Sequence, residues 1–435
     1  MEPNPSKTRK KGYHAPPGMH DILPEDQKYF QKIYHVSENI AKFYGFKLIE
    51  TPIVEEAALF EKGTGFTTEI VQKQMYTFQT KGGDWLTLRP EGTPSIVRAY
   101  IEKGMQNLPQ PVKLWYYGPF FRHERPQAGR FRQFHQVGFE VLGEEKAVID
   151  AQVIQLFYNI LKELHLKNLT IEINSIGDSQ CRPYYKKLLT SYLKYRTDSL
   201  CNDCKRRVKE NPLRVLDCKE EKCQRVKSQA PQIIDHLCQD CHSHFKEILE
   251  FLDELDLPYI LNPYLVRGID YYTKTVFEIV EKTKDGEPQG SLAGGGRYDA
   301  LVKLLGGKDA PGVGGAAGIE RIVSLLKARE RKSVGPSSPE ALIFIAQLGK
   351  LAKRKSLKLF EDFRKEKIQV AESFGRDSLK AQLRFADKLG VKYTLIIGQK
   401  EALDGVVLVR DMKTGEQENV KLERIVREIA KKNKR

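Results

Sequence analysis

All seven cysteines of this 435-residue chain, Cys181, Cys201, Cys204, Cys218, Cys223, Cys238 and Cys241, fall in one short stretch. From about Gln180 to Leu257 the pattern around them is helical and basic, while strand-like runs lie on either side. A chain with that layout folds as a sheet domain interrupted by a helical module. An odd number of cysteines, with no secretory signal ahead of them, argues against a disulfide framework. Cys201-x2-Cys204 and Cys238-x2-Cys241 are knuckles of the kind that direct paired thiolates at a tetrahedral zinc ion. Two readings stay open: a structural Zn2+ on Cys201, Cys204, Cys238 and Cys241, or reduced thiols in two helix ends. Cys218 and Cys223 are spare candidates, and Cys181 reads as a buried thiol.

The rest of the chain divides by pattern. Residues 1–14, polar and basic, read as a disordered tail. From Asp26 to Phe43 apolar residues recur at helical spacing, with Gly45 as a stop. Strand-like runs follow at Phe46–Pro52, Trp85–Leu88, Val112–Tyr117, Gln136–Leu142, Leu169–Ile173 and Thr275–Glu281, which predicts an α+β domain around an antiparallel sheet, built from residues 15–178 and 259–330. Residues 179–258 are then the insertion. Gly312 to Leu326 reads as a Gly-rich turn leading into a helix. Residues 331–339 are a linker by composition, and 340–435 alternate strands and helices as a small α/β domain with a mixed sheet.

Charge narrows the partners. The net charge is +15, and residues 337–435 hold 23 Lys and Arg against 14 Asp and Glu, a net +9. That favours a polyanion such as nucleic acid over a merely solubilising surface. No apolar run approaches the roughly 20 residues of a membrane helix, so the expected address is the cytosol.

The stretch Phe120–Gln136 carries Arg122, His123, Arg125, Arg130 and Arg132 interleaved with Phe131 and Phe134. Guanidinium forks match phosphate oxygens and aromatic rings stack on purines, so this describes a nucleotide site without a Walker loop. Gly312-Val-Gly-Gly-Ala-Ala317 formally fits a dinucleotide fingerprint but lacks the parallel βαβ context and the acidic residue beyond it. Gly294-Gly-Gly-Arg-Tyr-Asp299 fails the P-loop pattern. Close backbone approach to a ligand, or plain turn geometry, explains both runs better. Gln136, Gly138 and Glu140 share one face of a strand at period two, and would floor a pocket for a small ligand. Arg89-Pro-Glu-Gly-Thr93 and Leu265-Val-Arg-Gly-Ile-Asp-Tyr-Tyr272 are likewise polar where a plain core would not be.

Taken together, Pro16-Pro-Gly-Met-His-Asp-Ile-Leu-Pro24, Phe121-Arg-His-Glu-Arg125, Leu265–Tyr272, Ala293–Asp299 and Gly315-Ala-Ala-Gly-Ile-Glu-Arg321 resemble the histidyl-tRNA synthetases, a family of class II aminoacyl-tRNA synthetases. The resemblance spans residues 15–435, with Tyr44–Glu56 as motif 1, and no class I signature is seen. It implies a class II catalytic domain and a C-terminal anticodon-binding domain, with tRNA(His), L-histidine and ATP with Mg2+ as partners. It also implies a homodimer through motif 1, and an insertion placed to clamp the acceptor stem. Carried over residue by residue, Arg122 and Arg267 act on the α-phosphate, Arg122 also on the histidine carboxylate side, and Arg321 on the γ-phosphate. Glu124 and Phe134 address the adenine, and Arg130 the phosphates or the tRNA end. Glu91, Thr93 and Gln136 hold the substrate ammonium, Gly92 belongs to the histidine pocket, Glu140 and Tyr272 face the imidazole, and Tyr271 and Tyr298 shape the pocket. Zinc is not implied by the resemblance. The rivals are the family's paralogue that regulates ATP phosphoribosyltransferase and a sensor of uncharged tRNA.

Overall fold

The computed structural model describes residues 13–125, 129–282, 288–330 and 343–433; residues 1–12 of the expected tail and the whole expected linker lie outside them. The chain forms two compact units, residues 1–330 and 331–435.

The first unit opens on a long helix, Pro24–Tyr44, whose apolar spacing buries Tyr29, Phe30, Ile33 and Ile40 and which ends on Gly45 in the left-handed region, as the sequence pattern indicates. Its strands run in chain order β1 (Lys47–Leu48), β2 (Val54–Glu56), β3 (Tyr76–Gln79), β4 (Trp85–Leu88), β5 (Val112–Phe121), β6 (Gln133–Leu142), β7 (Leu169–Ser175), β8 (Tyr259–Leu261), β9 (Thr273–Lys282), β10 (Pro288–Arg297) and β11 (Gly312–Gly318). Eight of them form one sheet in the order β1-β5-β6-β11-β10-β9-β7-β8, and β2-β4-β3 form a small second sheet. The middle of the large sheet is antiparallel throughout, and only the edge strands β1 and β8 pair in parallel. Helix Ala147–Glu163 packs an apolar face against it, with Val153, Ile154, Leu156, Phe157, Ile160 and Leu161 all fully buried.

Between β7 and β8 the chain leaves the sheet and forms helices Arg182–Lys194, Asn202–Glu210, Glu221–Lys227 and Gln239–Glu254. This is the Cys-rich segment, helical as expected.

One expectation is corrected. Gly312–Gly318 is not a turn but strand β11, and the Gly294–Gly296 run lies inside β10; helix Ile319–Glu330 follows β11 directly. Glycine is normally depleted in strands, which is why the run reads as a turn. Here neighbouring side chains occupy the space a Cβ would need: Arg267 over Gly294, Tyr272 over Gly296, Tyr298 over Gly312 and Glu140 over Gly314. The strands are glycine-rich so that large polar side chains can lie flat on the sheet.

The second unit is a five-stranded mixed sheet, with β12 (Ile343–Gln347), β13 (Val370–Glu372), β14 (Tyr393–Ile397), β15 (Val406–Asp411) and β16 (Gln417–Lys421) in the order β13-β12-β14-β15-β16. β13, β12 and β14 are parallel and β14, β15 and β16 antiparallel, with helices Lys350–Lys365, Leu379–Lys388 and Ile425–Asn433 alongside in the chain. Strand β16 carries no strand signal in the sequence, because the alternation in Gln417–Lys421 has only Val420 as an apolar residue. Among the described residues, no helix is long and apolar enough to cross a membrane.

Candidate active site

A cavity of about 1030 Å³ opens on the large sheet of the first unit. Its floor comes from β6, β9, β10 and β11, one wall from the chain after β5, and another from the inserted helical segment.

The cationic and aromatic residues singled out in the sequence converge here. Arg122 follows β5 and donates from Nε to the Pro90 carbonyl at 2.8 Å, with its guanidinium 5.4 Å from the Phe134 ring centroid. Glu124 lies 4.0 Å from Arg122 and 3.6 Å from Arg130, so the three form a short charged chain along the wall. Phe134 pairs with Phe120 across the β5–β6 ladder, which fixes its ring in the cavity. Arg321, in the first turn of Ile319–Glu330, donates from Nη1 to the Ser291 carbonyl at 2.7 Å. Burial and the neighbouring Arg130 hold its pKa below the usual guanidinium range, as expected for cations awaiting an anion. That helix is itself pinned by Glu320, whose carboxylate accepts from the His135 backbone amide at 2.8 and 2.9 Å.

Arg267 sits in the segment between β8 and β9, paired with Glu278 of β9 and laid over Gly294, where a Cβ would stand 2.7 Å from its Nη1. Its buried Nε has no partner among the described residues. A half-buried guanidinium with one side neutralised and one donor unused is suited to a further oxygen ligand.

The small-ligand end is polar and closed. Glu91, 4% exposed, accepts from the Thr64 hydroxyl at 2.5 Å and the Tyr271 hydroxyl at 2.8 Å. Burial pushes its pKa up, against the pull of the Thr64 hydrogen bond and of Arg122 and Arg267. Thr93 starts helix Thr93–Glu102 and donates to Glu140 at 2.7 Å. Glu140 also accepts from Tyr298 at 2.5 Å, and burial raises its carboxyl to about 8. Tyr272, raised to about 12 by burial, and Gln136 line the cavity, as do Gly92 and Tyr271. Of the residues expected here, Glu140 and Tyr298 alone are not on the cavity surface; both lie beneath it, joined to the lining through Thr93.

Sequence reasoning missed three contributors. Tyr116 fills the space beside Gly92 and Gly138, where a Cβ on either glycine would collide with its ring. Its position in a continuous apolar run hid its role. Arg214 and Asp217 come from the insertion and line the cavity, with Arg214 8% exposed and its Nη1 unpartnered. A lone arginine in Asn211-Pro-Leu-Arg214 carries no local signal.

The expected metal set is contradicted. Cys201 and Cys204 do not converge with Cys238 and Cys241; the first pair gathers with Cys218 and Cys223, the second with Asp178 and Cys181. The physical reason is the path of the insertion. It leaves after β7 and returns just before β8, so its two ends meet each other and its middle folds on itself.

A largely antiparallel sheet carrying motif arginines at a nucleotide-sized cavity, with a separate mixed-sheet unit, defines a class II aminoacyl-tRNA synthetase. The family model described as Histidyl-tRNA synthetase matches residues 18–180 and 199–322, and one described as Anticodon binding domain matches 343–432. The chain is 45% identical over 420 residues to a protein of Dehalococcoides mccartyi named Histidine--tRNA ligase, covering 96% of this chain and 99% of the relative. It is also 45% identical over 411 residues to the Desulforamulus reducens protein of the same name, covering 94% and 97%. The crystal structure of apo S. aureus histidyl-tRNA synthetase superposes with a TM-score of 0.77 at 36% identity, covering 96% of this chain and 99% of that one. The chain therefore belongs to the histidyl-tRNA synthetase family.

Proposed function

We propose that this protein ligates L-histidine to tRNA(His) in two steps on the one cavity, as a cytoplasmic homodimer. The observation that carries this reading is the convergence of Arg122, Arg267 and Arg321 on a cavity whose other end presents Glu91, Thr93, Gln136, Tyr271 and Tyr272. Three cations suit a triphosphate, and acceptors with phenols suit a small zwitterion.

In the first step the histidine carboxylate oxygen attacks the α-phosphorus of ATP, the bond to the β-phosphate oxygen breaks, and pyrophosphate leaves. No protein nucleophile is required. Negative charge builds on the α-phosphate oxygens, and Arg122 and Arg267, held in place by Pro90 and Glu278, stabilise it without reorganising. Arg321 binds the γ-phosphate, Glu124 takes the adenine amino group, Phe134 stacks on the ring, and Arg130 meets the phosphates or the tRNA end. The cavity carboxylate Glu278 would offer Mg2+ a hard oxygen donor beside the one paired to Arg267, and the ion would supply charge neutralisation on the phosphates when bound.

Glu91, Thr93 and Gln136 hold the ammonium beside Gly92, and Tyr272 faces the imidazole, with Glu140 behind the lining setting Thr93 and with Tyr271 and Tyr298 fixing the shape. An amino acid lacking the imidazole nitrogens would leave these buried groups unpaired, which gives discrimination without an editing site. In the second step a hydroxyl of the tRNA 3′-terminal ribose attacks the adenylate carbonyl and AMP leaves. The second unit, with its basic excess, takes the anticodon end.

ATP–pyrophosphate exchange run with each of the twenty amino acids tests the assignment. Exchange with histidine alone is the expected result. No exchange with any amino acid, from folded dimeric protein, would transfer the reading to the regulatory or tRNA-sensing paralogue.

A further inference from the structure

The seven cysteines sort without remainder into two groups. Cys201, Cys204, Cys218 and Cys223 form one, and Cys181, Cys238 and Cys241 with Asp178 form the other; within each, four ligand atoms lie within 4.8 Å of one another. The odd cysteine count is resolved because an aspartate takes the eighth place. None of the seven is in a disulfide.

The spacing within each group is that of a coordination shell. With a Zn–S bond of about 2.3 Å, the edge of a tetrahedron is about 3.8 Å. Cys201 and Cys218 are 3.8 Å apart through sulfur, and so are Cys181 and Cys241. Asp178 Oδ1 stands 3.6 Å from Cys181 Sγ and 3.9 Å from Cys238 Sγ.

Each knuckle is built at a helix start. Cys201 precedes Asn202–Glu210 and Cys238 precedes Gln239–Glu254, with Cys204 and Cys241 one turn on. Backbone amides and the helix field at such a position favour a thiolate. The Cys204 amide donates to Cys201 Sγ at 3.4 Å, the Cys201 amide to Cys223 Sγ at 3.2 Å, and the Asp178 amide to Cys181 Sγ at 3.4 Å. Gly177, at φ +64°, leaves room for the second group, since a Cβ there would lie 2.5 Å from Cys181 Sγ.

We propose that these are two structural zinc sites, one of four cysteines in the middle of the insertion and one of an aspartate with three cysteines at its root. Both sets offer four ligand atoms, all thiol sulfur in the middle site and three sulfurs with one carboxylate oxygen at the root, which selects Zn2+ over hard cations and leaves no open position for catalysis. Each thiol releases its proton on binding. The root site ties the segment that leaves β7 to the helix that leads back to β8, closing a loop of about 60 residues with the entropic advantage of a long cross-link. The middle site fixes Cys218 directly after Leu216 and Asp217, which line the active-site cavity together with Arg214. The metal thereby positions the wall that the insertion lends to the site.

Elemental analysis of the full chain, purified without chelator or added metal, tests this. Two zinc ions per chain are expected, Cys223→Ser and Cys238→Ser each losing one. A mercurial titration of the unaltered protein, read with a chromophoric zinc chelator, should release both. Cobalt loading in place of zinc should give the visible bands of tetrahedral cobalt thiolate. Protein that folds, shows seven titratable thiols and contains no stoichiometric metal would overturn the proposal. So would iron with its charge-transfer colour, or a zinc content unmoved by both substitutions. A single ion lost only with Cys223→Ser would overturn the root site, and one lost only with Cys238→Ser the middle site.

Discussion

Glu140 is fully buried, and its carboxyl is raised to about 8 by burial, against the two hydroxyl donors Tyr298 and Thr93. In the free protein at neutral pH it therefore keeps its proton. The sign of the linkage follows: between the ordinary carboxyl value of about 4.3 and about 8, the folded state holds a proton that the unfolded state has released. The contribution is fully present below pH ~4 and declines by about 1.4 kcal/mol per pH unit as pH rises towards about 8, roughly 5 kcal/mol in total. Glu140→Gln keeps the shape and removes the titration. Urea unfolding of both proteins from pH 5 to pH 8.5 should then show the variant gaining on the parent by several kcal/mol across the range. Glu91, itself raised by burial, adds to the Glu140 shift through its charge. Two parallel stability curves would refute the reasoning, because they would mean Glu140 ionises no differently folded than unfolded. In pyrophosphate exchange the same variant should lose kcat/KM for histidine only through the displaced Thr93, by about 10-fold or less.

Other outcomes follow from the same geometry. Arg267→Ala should slow adenylate formation by about 100-fold or more while leaving ATP affinity within a few-fold, and unchanged single-turnover kinetics would contradict the role. Gly294→Ala should do much the same without removing a charge, since its Cβ would stand 2.7 Å from the Arg267 guanidinium; normal exchange in that variant would show that the guanidinium tolerates displacement. Removing residues 331–435, a unit with its own cores, should reduce tRNA charging far more than histidine-dependent exchange, and equal loss of both would argue against the division of labour. Arg297→Met should cost about 3 kcal/mol by leaving the buried carboxylate of Asp150 with His244 as its remaining partner, with Asp150→Leu in the same chain recovering part of the loss in urea unfolding.

The fold was legible where burial imposes a period. Pro24–Tyr44 shows its buried stripe, and β5, β6, β7 and β9 read as strands from their apolar runs. It was illegible where glycine replaces side-chain pattern, in β10 and β11, because the signal there belongs to what lies on the strands rather than to the strands themselves. The polar stretches come together at one cavity, since polar residues in a strand have to be explained by a ligand or by water. Three-dimensional neighbours beyond a motif were out of reach: Arg214 reaches the cavity from the insertion, and the cysteine knuckles pair with partners that chain spacing does not indicate.

Arg297 separates the two meanings of a motif. It sits in the same Gly-rich signature as Tyr298, yet its side chain is 0% exposed, bonded to Asp150, Asp299 and the Glu144 carbonyl, and absent from the cavity wall. Its work is to bind the end of β10 to helix Ala147–Glu163, so that Tyr298 beside it is held against Glu140. On the same strand, Gly294 leaves Arg267 a flat bed, and on β11 Gly314 does so for Glu140. Arg267 and Glu140 are thus set by backbone and buried pairs rather than by water, which for the proposed role of Arg267 is the condition under which a fixed charge stabilises a transition state most. A charged signature residue can serve catalysis by fixing the strand on which other residues act.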